Sequence, residues 1–213
     1  MDTDLETLAT ALYVTADDLL KAHPEILPLR PRVGTVPAIT DAEVLTLAAI
    51  APLVGINTER RFLRYARKHL TGMFPYIPGQ SGYNKRLRAL AGTIGWLAAA
   101  LATTSAHTII ADKGYRSKGL EDDLNQAGLT LLRPAARNET PRPGAGLLRP
   151  LRQRIESVFD TLKDQLGLER HNGRTPTAVT ARVAQRILAL TAVIWHNDKT
   201  GNPHLRSLTP YDH

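Results

Sequence analysis

Residues 109–124 read IIADKGYRSKGLEDDL, and this stretch decides the fold class of the second half of the chain. The β-branched residues before Asp112 predict a short strand, and Ser117 predicts the N-cap of a helix that stops at Gly128. Residues 129–133 predict a second strand. Because the order is strand, helix, strand, the sequence predicts a small parallel βαβ unit.

Apolar residues at helical spacing predict helices on both sides of this unit. Thr40 and Glu43 form a capping-box pattern at the start of one helix. Residues 24–37 include four prolines and predict a linker. The predicted helices lie near residues 5–12, 19–20, 40–54, 58–70, 83–102, 148–166 and 177–196. The predicted fold class is therefore mostly α with a small α/β part.

The composition is typical of a globular protein and is basic overall. The chain has 213 residues, of which 43% are hydrophobic and 22% charged, and a formal net charge of +7. The absence of cysteine excludes disulfides and thiolate metal sites. The N-terminus is acidic, unlike a signal peptide, and no apolar stretch reaches the ~18 residues that a membrane span needs. We therefore expect a cytoplasmic protein with no membrane partner.

Asp112 is the first candidate site residue, because it follows directly on the first predicted strand. Ligands gather at the carboxyl ends of strands in open α/β units, and a carboxylate there can hold Mg²⁺. Lys113, Arg116 and Lys118 surround it with positive charge that suits phosphate. The alternative is that Asp112 only begins a turn before Gly114, a common position for aspartate.

Glu156 is the second candidate, on the helix predicted at residues 148–166. At about 100° per residue, Arg152, Glu156 and Lys163 fall within roughly 40° of one another, beside an apolar stripe. A carboxylate there could bind a metal ion, and the flanking bases could grip a DNA backbone. The alternative is a surface ion pair between Arg152 and Glu156. The residues of the apolar stripe are Ile155, Phe159, Leu162 and Leu166.

A basic stretch is the third candidate feature. Residues 58–88 contain eight Lys or Arg and one acid, Glu59, with Tyr65, Tyr76 and Tyr83 interleaved. Helices that carry arginines on their outer face can position DNA through phosphate contacts, so we expect DNA binding. A well-solvated helix face is the alternative. The candidate DNA-binding residues are Arg60, Arg61, Arg64, Arg67, Lys68, Lys85, Arg86 and Arg88.

Several strings, in this order, resemble bacterial insertion-sequence transposases of the DDE class. DAEVLTLAAIAPLVGINTERRFLRYARKHLTGMFPYIPGQSGYNKRLRAL is similar to their N-terminal region. IIADKGYRSKGLEDDL, LLRPAARNE, RQRIESVFDTLKDQLGLERHNGRTPTAV and RVAQRILALTAVIWHN are similar to the later part of their catalytic domain. ADKGY alone is a weak signal, whereas the ordered set is specific and covers most of the chain beyond residue 39.

The resemblance implies an RNase H-like fold in which three acids bind two Mg²⁺ ions for in-line attack on DNA phosphodiesters. It implies that Asp112 is the second aspartate and Glu156 the glutamate of this triad. Arg152 and Lys163 match the bases that flank the glutamate. Related transposases carry a tyrosine three residues before that arginine, and here Arg149 stands in its place.

The first aspartate of the family has no counterpart in this chain. The resemblance places it on an early strand between the basic helices and Asp112, but the helix predicted at 83–102 runs almost directly into the strand before Asp112. The junction near residues 101–106 therefore suggests an in-frame internal deletion. With only two strands left, the two C-terminal helices are expected to leave apolar faces partly exposed.

The expected organisation is a helical, basic DNA-binding region at residues 1–103 and a truncated RNase H-like domain at residues 104–213. The truncated domain would consist of the βαβ unit and two C-terminal helices. We expect a transposase that acts on the DNA of element ends, with strand cleavage and transfer lost because the first aspartate is missing. Mg²⁺ is the implied cofactor, although binding to two acids alone would be weak, and a homodimer is the candidate assembly.

Three alternatives stay open. The chain could be a catalytically dead DNA-binding protein that interferes with intact transposase, which requires the N-terminal region to fold without the missing strands. It could be an inert product of a decayed element that folds poorly. A general helical DNA-binding regulator would explain the basic stretch but would leave Asp112 and Glu156 unexplained.

Overall fold

The protein folds into two units. The larger comprises Met1–Ala102 with Thr161–His213, and the smaller comprises Thr103–Asp160. The computed structural model describes residues 3–29, 37–102, 108–140 and 142–211. Part of the predicted linker and most of the junction suggested for the deletion lie outside the described residues.

Helices dominate the described residues, and the strands form one small parallel sheet, which confirms the predicted mostly α class with a small α/β part. The α-helices are α1 (Thr3–Ala22), α2 (Asp41–Leu53), α3 (Glu59–His69), α4 (Gln80–Ala89), α5 (Ala91–Ala102), α6 (Lys118–Gln126), α7 (Leu148–Asp160) and α8 (Pro176–Lys199). The strands are β1 (Thr108–Ile110) and β2 (Thr130–Leu132). Shorter turns are 3₁₀-helical at Pro24–Ile26, Ala145–Leu147, Leu168–Arg170 and Thr209–Tyr211, and π-helical at Thr161–Gln165.

The core of the larger unit lies around α8. This helix packs against α5 and α2, and α2 also packs against α1. Leu188, Ala189 and Val193 of α8 are completely buried, and Gln185 Nε2 donates a 2.8 Å hydrogen bond to the carbonyl of Ala48 on α2. Among the described helices, α8 is the one long and apolar enough to cross a membrane, and this packing accounts for its composition.

Two arginines of α8 lie in the interior of the same unit, Arg186 buried and Arg182 half-buried. Arg182 forms an ion pair with Glu59, the first residue of α3. Arg186 donates hydrogen bonds to Gln185 Oε1 (3.1 Å) and Asn57 Oδ1 (3.3 Å), and burial lowers its pKa to about 10. Because removing either partner of a buried ion pair strands a charge, the Arg182–Glu59 contact ties the start of α3 to α8.

The start of α2 is fixed by local and distant contacts. Thr40 Oγ1 accepts a 3.1 Å hydrogen bond from the N–H of Glu43, and the N–H of Thr40 donates to Glu43 Oε2 at 2.6 Å. This is the predicted capping box. Arg86 of α4 donates to the carbonyl of Ile39 and to the carboxylate of Asp41. The first turn of α2 is therefore held by its own capping box and by Arg86 of α4.

The smaller unit contains the predicted βαβ unit. β1 and β2 pair in parallel, with Thr108 opposite Thr130. Ser117 Oγ caps α6 by accepting the N–H of Leu120 at 3.3 Å. After α6 the chain turns at Gly128, whose φ of +73° is readily adopted only by glycine. No residue of α6 is buried, so the crossover helix covers the sheet only partly.

Two helix predictions in the first half are wrong. The two short helices predicted at the N-terminus are one helix, α1, because a buried apolar stripe continues through Ala16 to Leu20. The single helix predicted at residues 83–102 is two, α4 and α5. Its interruption lies at Leu90, which is buried and whose backbone leaves helical geometry (φ −87°, ψ 7°).

The C-terminal helices also differ from expectation. α8 does not lack a partner, since it packs in the helical core of the larger unit, and residues 161–213 therefore group with the N-terminal helices instead of with the βαβ unit. α7 does leave apolar residues exposed, with Ile155 37% and Phe159 50% accessible. After Asp160 the chain becomes π-helical, so the spacing used to place Lys163 on the face of Glu156 does not apply.

Replacing Thr40 with alanine is expected to lower the free energy of unfolding by about 1 kcal/mol, because one half of the capping box is lost. Urea denaturation followed by circular dichroism measures this change. Thr10→Ala is the matched control, since Thr10 is exposed in the middle of α1 and alanine at such a position should not lower the midpoint. An equal loss in both variants would contradict the role of the cap.

Candidate functional site

A cavity of about 630 Å³ lies in the smaller unit, between the end of β1 and one side of α7. Asp112 and Glu156 both line it, so the structure brings together the two acids that the sequence singles out. Their catalytic and metal-binding roles stay predictions. The lining residues are Ile110, Ala111, Asp112, Pro134, Leu148, Arg149, Arg152, Ile155, Glu156 and Phe159.

Asp112 lies in a turn directly after β1. Its Oδ1 accepts a 2.7 Å hydrogen bond from the N–H of Lys113, and its carbonyl accepts a 3.0 Å hydrogen bond from the N–H of Tyr115. The side chain is exposed. Asp112 therefore begins a turn, as the alternative interpretation proposes, and also presents its carboxylate at the carboxyl end of a strand.

Glu156 projects from the middle of α7 and is paired with Arg152. Arg152 Nε donates a 3.0 Å hydrogen bond to Glu156 Oε1, and the two side chains are 81% and 60% exposed. Exposed pairs of this spacing contribute only about 0.3–0.5 kcal/mol to helix stability. The surface ion pair of the alternative interpretation is thus present. It is weak enough for Glu156 to exchange Arg152 for another cation.

The cavity does not fit a pair of divalent ions. Two metal ions about 3.5–4 Å apart need several carboxylates to bridge and neutralise them. Among the described residues, no three His, Asp or Glu side chains are grouped so that they could hold a metal ion. Arg149 and Arg152 line the same cavity and add positive charge where two metal ions would require negative charge. The cavity therefore combines two carboxylates, Asp112 and Glu156, with two guanidinium groups.

The three bases predicted around Asp112 lie on the surface of the same unit. Lys113 follows Asp112 in the turn, and Lys118 is the first residue of α6; both are exposed. Arg116 Nε lies 3.5 Å from Glu139 Oε1, so the carboxylate of Glu139 partly offsets its charge. Contact of these three bases with phosphate stays a prediction.

A buried arginine that the sequence did not single out organises this unit. Arg133, directly after β2, is 1% exposed. Its guanidinium donates two hydrogen bonds to Glu139 (2.8 and 3.0 Å) and one to Glu121 of α6 (3.0 Å). Glu121 also accepts from Arg142 at 2.9 and 3.0 Å. We call these four residues the arginine clamp; it fixes the segment containing Pro134, which lines the cavity.

The signal for the clamp was present in LLRPAARNE, where Arg133 precedes Glu139 by six residues. No spacing rule predicts an ion pair between residues six apart in a loop. The other acid of the clamp, Glu121, lies on a different element, α6. The bidentate contact with Arg133 lowers the pKa of Glu139 to about 2. Hydrogen bonding from Arg142, and to a lesser degree from Arg133, lowers the pKa of Glu121.

The basic residues of the larger unit divide into two groups. Arg60, Arg61, Arg64, Lys68, Lys85 and Arg88 are exposed on α3 and α4. Arg67 is exposed but donates a 2.7 Å hydrogen bond to the carbonyl of Pro78, and Arg86 is engaged at the start of α2. Lys163 lies in the π-helical segment, 3.5 Å from Glu169 Oε1. Tyr83 is buried and Tyr65 half-buried, whereas Tyr76 is exposed.

Replacing Glu139 with glutamine is expected to loosen the smaller unit at pH 7. Because Arg133 holds the pKa of Glu139 at about 2, below the roughly 4.3 of an unfolded chain, the stabilisation is complete above pH 4.3 and is lost as the pH falls towards 2. The difference between wild type and variant should therefore shrink over that interval.

Hydrogen exchange of the amides of α6 and β2, corrected for the intrinsic rate at each pH, measures this effect. Glu169→Gln is the matched control, since Glu169 is an exposed glutamate with one lysine partner at 3.5 Å. Protection in the Glu139 variant equal to that of wild type at pH 7 would show that the clamp does not hold the unit together.

Comparison with known proteins identifies the family. The family model described as "Transposase DDE domain" matches residues 78–192, more than half of the chain, and the matched segment includes both Asp112 and Glu156. No curated protein sequence and no solved structure matches the chain. The ordered motifs, the βαβ unit and the cavity that joins the two acids agree with this match. The chain is therefore a member of the transposase DDE domain family.

Proposed function

We propose that this chain is a transposase-derived DNA-binding protein whose strand cleavage and transfer are lost or severely reduced. The observation that carries the proposal is the cavity, which is lined by two carboxylates, Asp112 and Glu156, and by Arg149 and Arg152. Such a set suits contact with a DNA phosphate more than the binding of two Mg²⁺ ions.

The loss of the first acid explains the small sheet as well as the cavity. An in-frame deletion near residues 101–106 would remove the strand that carries the first aspartate of the family and leave β1 and β2 alone. The larger unit does not use those strands in its core, since α8 packs against α5 and α2. The helical part can therefore stay folded after such a deletion, in the cytoplasm where the element DNA is.

DNA binding is assigned to the basic helices. Duplex DNA carries a dense row of phosphates, and each neutralising Lys or Arg releases counterions, so a cluster of exposed cations binds it in a salt-dependent manner. Six of the eight predicted residues are exposed and not engaged with the start of α2 or with Pro78. The cavity bases and Lys113 are candidates for additional phosphate contacts.

A second candidate function is interference with intact transposase. A chain that occupies element ends without cleaving them would block the active enzyme, and a homodimer or mixed dimer would have the same effect. The buried core of the larger unit favours this over an inert, poorly folding relic, because a relic that had lost its core would not bury α8.

The test of inactivity is a cleavage assay on the full chain. Purified protein, shown to be folded by circular dichroism, is incubated with labelled duplexes that contain the element ends, in Mg²⁺ or in Mn²⁺. We expect no nicking above background and no rise in melting temperature when either ion is added, because the carboxylate set does not hold a metal pair.

Two variants make the assay decisive. Asp112→Asn alters the cavity, whereas Asp122→Asn changes an exposed aspartate of α6 that does not line it. Specific nicking by the wild type that Asp112→Asn abolishes and Asp122→Asn retains would overturn the proposed inactivity and would require a third acid from another chain. Nicking that survives both substitutions would point to a contaminating nuclease.

A further inference from the structure

We propose that α3 inserts into the major groove of duplex DNA and that Arg64 reads base edges there, while Lys85 and Arg88 of α4 contact the phosphate backbone. This inference rests on the proposed DNA binding and specifies its geometry. It assigns different roles to residues that the sequence alone treats as one basic stretch.

The cations of α3 share one side of the helix. At about 100° per residue, all five fall within an arc of roughly 120°, with Arg64 at its centre. From Arg60 to Lys68 the cations span about 12 Å along the helix axis, which is close to the width of the major groove. All five are exposed: Arg60, Arg61, Arg64, Arg67 and Lys68.

Four of these cations are available to a ligand. In the described part of the chain, no ion pair or side-chain hydrogen bond engages Arg60, Arg61, Arg64 or Lys68. The fifth, Arg67, donates to the carbonyl of Pro78 and so anchors the segment before α4. Anchoring by one arginine leaves the remaining four on a helix whose position is fixed.

The acid nearest to this face does not offset its charge. Glu59 is the only acid in residues 58–88, and its side chain is 6% exposed and paired with Arg182 of α8. An exposed glutamate at the first turn of α3 would repel phosphates and compete for Arg60 or Arg64. Because Glu59 faces the core, the outward side of α3 carries positive charge alone.

The opposite side of α3 holds the helix in place. Phe62, Leu63 and Ala66 are almost completely buried, at 1%, 1% and 0% exposure, and α3 packs against α4. A recognition helix has to be rigid for its side chains to meet base edges in a fixed register. The guanidinium of Arg64 is suited to this task, since it can donate two hydrogen bonds to the O6 and N7 atoms of guanine.

Two features favour duplex DNA over other polyanions. A helix that binds a membrane surface exposes an apolar face to the lipid, whereas the apolar face of α3 is buried. Proteins that bind single strands stack bases on exposed aromatic rings. On α3, Tyr65 is half-buried and packs against His69 with ring centroids 4.7 Å apart, and the exposed Tyr76 lies outside this helix. The exposed arc therefore offers cations without a stacking platform.

The experiment measures binding of the full chain to fluorescent duplexes that contain the element ends. One duplex is natural, and in the other every guanine is replaced by 7-deazaguanine, which lacks the major-groove N7 acceptor but keeps the Watson–Crick edge. Wild type is expected to bind the 7-deaza duplex more weakly by roughly 5- to 150-fold, the range for loss of a bidentate base contact.

Three variants separate base contacts from phosphate contacts. Arg64→Ala should bind the natural duplex more weakly and lose sensitivity to 7-deazaguanine. Arg64→Lys keeps the charge but lacks the planar fork, so it should lose part of the affinity and part of the sensitivity. Lys85→Ala should weaken both duplexes equally, lower the slope of affinity against salt by about 1 and keep the sensitivity. Circular dichroism confirms that each variant is folded.

The outcomes distinguish this inference from the proposed function. Absence of binding to either duplex at low salt by folded wild type would overturn the proposed DNA binding and with it this inference. Binding that is strong but insensitive to 7-deazaguanine would leave DNA binding intact and overturn the major-groove assignment. Tighter binding to a single strand of the same sequence, or to vesicles of anionic lipid, would also overturn it.

Discussion

The contact of α8 with α5 and α2 is the interaction on which the rest of the larger unit depends. It buries the apolar side of a 24-residue helix, and apolar burial is the dominant favourable term in folding. The same helix supplies Arg182 for Glu59 and Gln185 for the carbonyl of Ala48. The position of α3, and hence of its basic face, follows from a helix far away in the sequence.

The smaller unit is stabilised in a different way. With strands of three residues and no buried residue on α6 or α7, it has little apolar core. Its central feature is the arginine clamp, in which one buried guanidinium joins the crossover helix, the end of β2 and the following loop. Loss of a partner of Arg133 is therefore destabilising, because an unpaired guanidinium is costly to bury.

Local rules predicted what depends on neighbouring residues. The capping box at Thr40, the cap at Ser117 and the βαβ order all follow from short-range pattern, and all are found. The strand end and the helix spacing left alternatives open for Asp112 and Glu156; the resemblance to transposases implied that they share a site, and both line one cavity. Long-range contacts could not be predicted from local pattern. No local rule pairs Arg133 with Glu121 or Glu59 with Arg182, and none groups α8 with the N-terminal helices. The helix face predicted for Lys163 was also wrong, because the prediction assumed 3.6 residues per turn and the segment is π-helical.

The larger unit is assembled from both ends of the chain, with residues 103–160 inserted between its parts. During synthesis, α1 to α5 emerge first, and the surface that α8 covers stays exposed to solvent until α8 has left the ribosome. Because this insertion separates them in the sequence, the contact of α8 with α5 and α2 is non-local, and non-local contacts slow folding. A chain that stopped before α8 would carry Glu59 without Arg182, and an unpaired carboxylate is costly to bury.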